Sequence, residues 1–260
     1  LPQYIVPQNL NLPRAAFLTL SLFLLGITVG NAQYPSVTER VQNLQDFDER
    51  FLHYGYYFGL NQFGFKFEYE KTYSAPFFLN GRGLPDIELV KNYGFNVGLI
   101  GDMRINKFLN LRFEPGLYYN QRDFIYPDAT PGLITDQDYL REIKSTYIHM
   151  PLLIKFSALR VNNFKPYLVG GISTSFNLSS NKKSNDDNSN NVFRVISQTY
   201  NYEIGFGVDF YLPYFKFSPS IRGLFSIDNE LIQDVDPMSP WTSNINNLFS
   251  QAILINFTFE

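Results

Sequence analysis

The chain has 260 residues, 17% of them aromatic, with 18 Tyr and 26 Phe beside a single Trp. A net charge of -3 with no basic block excludes tracking of a phosphate backbone, so no nucleic-acid partner is expected. The absence of cysteine excludes disulfides, thiolate metal sites, a Cys nucleophile and a lipoprotein anchor.

The first feature in chain order is "RAAFLTLSLFLLGITVGNAQ", where Arg14 precedes an apolar run closed by Gly30 and Ala32. The run falls short of the roughly 20 residues of a membrane helix, and its flanks fit a secretory signal over residues 1–32. A short membrane anchor is the other reading. The residues ahead of Arg14 add nothing to a signal and fit an upstream-extended start. Cleavage after Ala32 gives an exported chain beginning at Gln33. In residues 33–52, Ser36 and Glu39 form a capping box, with Val37, Val41, Leu44, Phe47 and Phe51 at helical spacing. A short amphipathic periplasmic helix from Val37 to Phe51 is predicted, able to cap its own domain, dock a partner or lie on a membrane.

From His53 onward the pattern has period two, one face apolar and the other mostly polar. Strand one, "HYGYYFGLNQFGFKFEY", changes parity between Leu60 and Phe63, which predicts a bulge near Gly59 to Gly64. Strand two, Leu89 to Ile105, sets Tyr93, Phe95, Val97 and Leu99 against Asn96, Asp102 and Arg104. Strand three, Asn110 to Tyr126, sets Phe113, Leu117 and Tyr119 against Arg112, Glu114 and Arg122. In strand four, "STYIHMPLLIKF", Ile148, Leu152, Ile154 and Phe156 oppose Ser145, Tyr147, His149 and Lys155. Strands five (Phe164 to Leu178), six (Arg194 to Leu212), seven (Tyr214 to Asp228) and eight (Leu248 to Phe259) repeat the pattern. Their polar faces include Lys165, Glu203, Asp209 and Arg222. Short links such as "NK", "RVNN" and "PY" alternate with long polar ones, the arrangement of a bacterial outer-membrane barrel.

A soluble lipocalin-like barrel has the same strand count but buries its apolar side chains inward. Such a barrel rarely carries charge after charge on the lumen face. Charges in a soluble core cost several kcal/mol each unless paired. The predicted fold is therefore an all-β, eight-stranded antiparallel transmembrane β-barrel over residues 53–260. It sits in the Gram-negative outer membrane with apolar faces on lipid, both termini periplasmic and long loops extracellular. Tyr118, Tyr119, Tyr126, Tyr147, Tyr200, Tyr211 and Tyr214 fall near strand ends, as an interfacial girdle requires. The ending "INFTFE" looks like a signal read by the barrel-assembly machinery, although Glu260 follows Phe259.

Candidate chemistry is sparse. An eight-stranded interior is just filled by side chains, which disfavours a pore. Barrel hydrolases pair His with Ser or Asp near the outer rim. His53 precedes strand one at the inner end. His149 lies on the lumen face with no Ser or Asp partner placed by spacing, and reads as part of a charge network. "SNKKSNDDNSNNV", with Asp186 and Asp187, lacks the ordered spacing of a Ca²⁺ loop and reads as solvated. The glycines of "GFGVDF" and "VGGIS" read as relief of crowding, and the pairs Arg112 with Glu114 and Glu203 with Arg222 as structural glue. No catalytic, cofactor-binding or metal-ligating residue and no cofactor is predicted, and the chain is not expected to be an enzyme.

From strand one to the end, the chain resembles the PorT/SprT family of Bacteroidetes outer-membrane barrels. The resemblance is carried by "YYFGLNQFGFKF", "GFNVGLIGDMRINKFLNLRFEPGLYY", "YIHMPLLIKFSALRVNNFKPYLVGGIS" and "YEIGFGVDFYLPYFKFSPSIRGLFS". It implies a non-enzymatic component of the type IX secretion system, serving protein export and gliding motility through contacts with other components. The surfaces then expected to matter are the lipid-facing aromatics, the Val37 to Phe51 helix and the loops Asp128 to Tyr139 and Asp228 to Asn247. The alternative is a generic small surface barrel, OmpA/OmpX-like, whose extracellular loops bind ligands or act in adhesion.

Overall fold

A computed structural model describes residues 41–69, 87–126, 140–182, 184, 188, 192–237, 239, 241–243 and 245–260. The expected export signal, residues 37–40 of the expected helix, the loop Asp128 to Tyr139 and Asp186/Asp187 lie outside them. Gln42–Glu260 form one compact unit. Its strands are β1 (Leu52–Tyr69), β2 (Glu88–Lys91), β3 (Tyr93–Arg104), β4 (Leu109–Phe113) and β5 (Gly116–Ile125). They continue with β6 (Leu140–Ser157), β7 (Phe164–Asn177), β8 (Gln198–Tyr211), β9 (Lys216–Ser226) and β10 (Ile245–Phe259). All pairings are antiparallel, and β1 pairs with both β10 and β3, so the sheet closes into a ring.

The ten segments make eight legs, as the sequence predicts. β4 and β5 lie end to end along β6 in one unbroken register, with Phe113 opposite Leu152 and Gly116 opposite His149. The ladder lapses only where Glu114 and Pro115 face Pro151 and Met150. Two prolines remove two donors there, which is why the leg divides. β2 and β3 likewise form one leg beside β5. Lys91 faces Arg122 and Phe95 faces Tyr119, so three residues, 92–94, oppose two, 120–121. That one-residue excess is a bulge.

No bulge occurs where strand one predicts it. Its register runs continuously against β10 from Tyr56 to Glu68 and against β3 from Leu52 to Gln62. The side chains keep their faces; the environment inverts. Tyr54, Tyr56, Phe58 and Leu60 point outward and are exposed, while His53, Tyr57 and Asn61 point into the lumen. Beyond Leu60 the outward face turns to Lys66 and Glu68, joined at 3.0 Å, and the inward face to Phe63 and Phe65. β6 inverts in the same way: Leu152, Ile154 and Phe156 face out below, the exposed Lys144–Glu142 pair faces out above, and Ile143 is buried. An outward face of hydrocarbon requires lipid, and one of ion pairs requires water. The two change over near Leu60 and Ile148, which marks the outer membrane boundary. On β8 the outward run from Tyr200 to Phe210 matches the ~9–11 residues that a tilted strand needs to cross the hydrocarbon.

With no native cysteine, single spin labels test this boundary. Labels at Leu60→Cys and Ile148→Cys are expected to collide chiefly with oxygen, and those at Lys66→Cys and Glu142→Cys with a water-soluble nickel complex. Equal nickel accessibility at all four sites would remove the boundary.

The lumen also corrects the expected tyrosine girdle. Tyr119, Tyr200 and Tyr214 are exposed, but Tyr118, Tyr126, Tyr147 and Tyr211 are buried inside the barrel. Tyr57 shows how tightly they pack. A Cβ on Gly98 or Gly116, which face each other across β3 and β5, would lie 2.6 Å and 2.1 Å from its hydroxyl. Gly207 stands in the same relation to Tyr167, at 2.5 Å. These glycines make room for lumen rings, in keeping with the sequence reading of "GFGVDF".

The expected amphipathic helix does not form in its described part. Only a 3₁₀ turn, Phe47–Glu49, is present. Leu44 takes a φ of 49°, which a right-handed helix excludes. The carbonyls of Asn43 and Leu44 accept the Arg160 guanidinium, and that of Leu44 also accepts only a tight-turn bond from the Phe47 amide rather than a helical one. Phe47 stacks on His53 at 4.4 Å, and Asp48 accepts from the Tyr211 hydroxyl at 2.7 Å. Contacts with the barrel mouth outweigh the helical pattern, and residues 42–51 form a strap across that mouth.

Candidate functional site

The interior is filled in three layers. The lowest lies near the short turns. Asp102 on β3 accepts from Arg112 on β4 at 2.6 and 2.9 Å, and Arg112 also reaches Glu114 at 3.3 Å and Glu260 at 3.0 Å. Glu260 in turn holds Lys216 at 2.7 Å, and Lys155 holds Asp209 at 2.6 Å. The acidic residue after Phe259, a departure from a purely aromatic ending, is thus explained by parity. Phe259 faces outward, and the next side chain turns into the lumen between two cations.

In the middle layer, His149 shares a hydrogen with Ser175 Oγ at 2.8 Å through Nδ1 and meets Glu203 at 2.8 Å through Nε2. Arg222 joins Glu203 at 3.4 Å to Glu114 at 2.8 Å. The Tyr57 hydroxyl donates to the Glu114 carbonyl oxygen at 3.1 Å, and Tyr118 lies against the His149 ring at 4.6 Å. Both pairs read as glue, Arg112 with Glu114 and Glu203 with Arg222, therefore form. Sequence spacing places no Ser or acid beside His149, yet the fold supplies both. Ser175 is its direct register partner on β7, and Glu203 comes from β8. Only strand pairing reveals them. Ser, His and Glu compose a hydrolytic set, but all three are buried, and Glu203 is also engaged by Arg222. Neither the cavity at the inner mouth nor the apolar groove on the lipid face reaches them.

The outer layer changes character. Arg122 donates to Ser145, Tyr147 and Ser250, with its guanidinium 4.0 Å from the Phe65 ring centre. Above it lies an apolar core that includes Phe65, Phe124, Tyr126, Ile143, Phe193, Val195, Ile245 and Leu248. Among the described residues, parts of the two loops between β7 and β8 and between β9 and β10 close over this core. The Tyr126 hydroxyl donates to the Trp241 carbonyl at 3.1 Å, and Arg141 lies 4.8 Å from the Trp241 ring while donating to the Asn188 carbonyl. Asn188 and Ser239 both donate to Asp234. The outer mouth is a packed cap.

An apolar core at one end, a lumen crossed by ion pairs and a closed ring of eight legs describe a small membrane barrel. The model of a family described as "Outer membrane protein beta-barrel domain" matches residues 31–231. The chain belongs to this family. Its place is the outer membrane, embedded in lipid. Among solved structures it is similar to OprG of Pseudomonas aeruginosa, at 12% identity and a TM-score of 0.43 over 79% of this chain and 94% of that one. Neisserial surface protein A is similar at 10% identity and 0.42, over 80% and 97%. Ail of Yersinia pestis is similar at 11% and 0.33, over 79% and 96%. No curated protein matches the sequence.

Within this family's barrel, Glu230 carries a titration that belongs to the cap. It lies behind β9, where both carboxylate oxygens accept from Ser250. Burial raises its carboxyl above the ordinary 4.5, opposed by Arg122 and by the Ser250 bonds. With the folded value above the unfolded one, its stabilising contribution is full below the unfolded value and is lost as pH rises through the folded one. Glu230→Gln is expected to flatten that decline above pH 4.5. Hydrogen exchange of the Ser250 amide measures it; a slope unchanged from wild type would assign the decline elsewhere.

Proposed function

We propose that this chain is a non-enzymatic, non-conducting barrel that acts by contact, its outer loops forming a rigid platform that binds ligands or serves adhesion. The observation that carries this reading is the outer cap. Above the lipid belt the strands continue around an apolar core, and loops from separate hairpins are tied over it through Trp241, Asn188 and Asp234. A barrel that needed only a membrane anchor would gain nothing from such a structure, whereas a contact surface requires preorganised loops. Large side chains packed across the lumen support the non-conducting reading, and the burial of Ser175, His149 and Glu203 supports the non-enzymatic one. The mature chain is taken to be residues 33–260, released from an export signal over 1–32 and inserted by the barrel-assembly machinery.

A second reading, a component of type IX secretion, is favoured by the quoted PorT/SprT blocks and by the strap across the inner mouth, which faces the periplasm. A clean in-frame deletion separates the two. If the secreted proteins vanish from the medium and accumulate in the cell, with rescue by a plasmid copy, the secretion reading holds. If the secreted set is unchanged, and shortening residues 228–244 abolishes surface binding, the platform reading holds. Disturbing the strap rather than the loops should matter most in the first case.

A further inference from the structure

The barrel's inner end is hollow. Between the strap and the lowest lumen layer lies a polar cavity of about 500 Å³, a volume typical of small-ligand sites. Tyr57, Arg112 and Arg222 fill the lumen above it, so it is blind. A blind polar cavity can hold a solute but cannot pass one.

Its charge is one-sided. Six cations line it, Arg104, Lys107, Lys155, Arg160, Lys165 and Lys216, against three carboxylates, Asp48, Glu49 and Asp209. Much of this is internally matched: Lys155 holds Asp209, Lys165 meets Asp48 at 3.4 Å, and Lys216 reaches Glu260 below. Arg160 is spent on strap carbonyls. Arg104 and Lys107, at the turn between β3 and β4, make no ion pair among the described residues. His53 lies on the same wall, buried and stacked on Phe47, with its Nε2 donating to the Phe47 carbonyl at 2.7 Å.

We propose that the inner-mouth cavity is a binding site for a small, multiply charged anion bearing phosphate or carboxylate groups. Arg104 and Lys107 supply the uncompensated charge. Its position between strap and barrel puts it in contact with periplasmic solutes and within reach of lipid headgroups of the inner leaflet. This inference is independent of the platform reading, since the two sites lie at opposite ends.

The test uses the full mature chain in lipid nanodiscs. Pyrophosphate and citrate are titrated by calorimetry. Saturable binding is expected, with an affinity at least tenfold lower in Arg104→Gln/Lys107→Gln. Those side chains lie at the inner rim, and the unheated gel mobility of the double variant confirms that it folds. A short-chain phosphatidylglycerol added below its micelle concentration identifies the source. Competition with pyrophosphate assigns the site to headgroups as well as free anions, and lack of competition to free anions alone. No saturable binding of any of these probes, or binding unchanged in the double variant, overturns the proposal.

Discussion

Replacing Arg112 with leucine is expected to destabilise the barrel by about 3–5 kcal/mol, the cost of breaking a buried ion pair by removing one partner. Arg112 is 2% exposed and serves three carboxylates from three parts of the chain: Asp102 on β3, Glu114 between β4 and β5, and Glu260 after β10. The leucine would leave Asp102 with only the amide of Asn110, and Glu260 with Lys216 alone. Arg112→Lys should recover part of the loss, because a point charge cannot span three acceptors as a planar guanidinium does. The contrast is Lys66→Ala, which removes an exposed pair and should cost less than about 1 kcal/mol. Equilibrium urea unfolding of the barrel in vesicles ranks the three. A leucine variant as stable as wild type would mean that packing, not the charge network, holds the inner half.

The second large effect is expected at the other end. Phe124 is fully buried, with Phe65, Phe67 and Phe193 at ring-centre distances of 5.5, 5.2 and 5.1 Å. Phe124→Ala removes the ring on which three others rest, at a cost of about 3–5 kcal/mol. Because this core lies above the lipid belt, the loss should be local. Hydrogen exchange is expected to accelerate at Phe193, Val195 and Ile245, with the membrane span of β7 and β8 unchanged. Uniform acceleration along all strands would show that the cap and the membrane barrel unfold as one unit.

The fold was legible because period two survives in every leg, and because charge recurs on one face where a soluble core would exclude it. Arg112, Glu114, Lys155, Glu203, Asp209 and Arg222 all lie where that alternation puts them. Three features were not legible. The apparent parity change at Leu60 to Phe63 has the same local pattern whether a strand slips or its solvent changes; β1 stays in register and leaves the membrane. The tyrosines near strand ends split between girdle and lumen according to parity, and Tyr118 and Tyr119, one residue apart, fall on opposite sides. The strap's helical pattern was overruled by contacts more than a hundred residues distant, between Asn43 and both Arg160 and Asn163. The candidate sites were the least legible. The partners of His149 and the lumen position of Glu260 each follow from strand pairing, which a single sequence does not display.

The central claim is that the lumen is sealed, so that function resides at the two ends. It is tested most directly by conductance across a planar lipid bilayer. With Tyr57, Tyr118, Arg112 and Arg222 packed across the interior and the cap above them, insertion of the purified barrel is expected to give no unitary current steps at either polarity. Reproducible ohmic steps that scale with the number of inserted barrels would contradict the account and make the chain a channel.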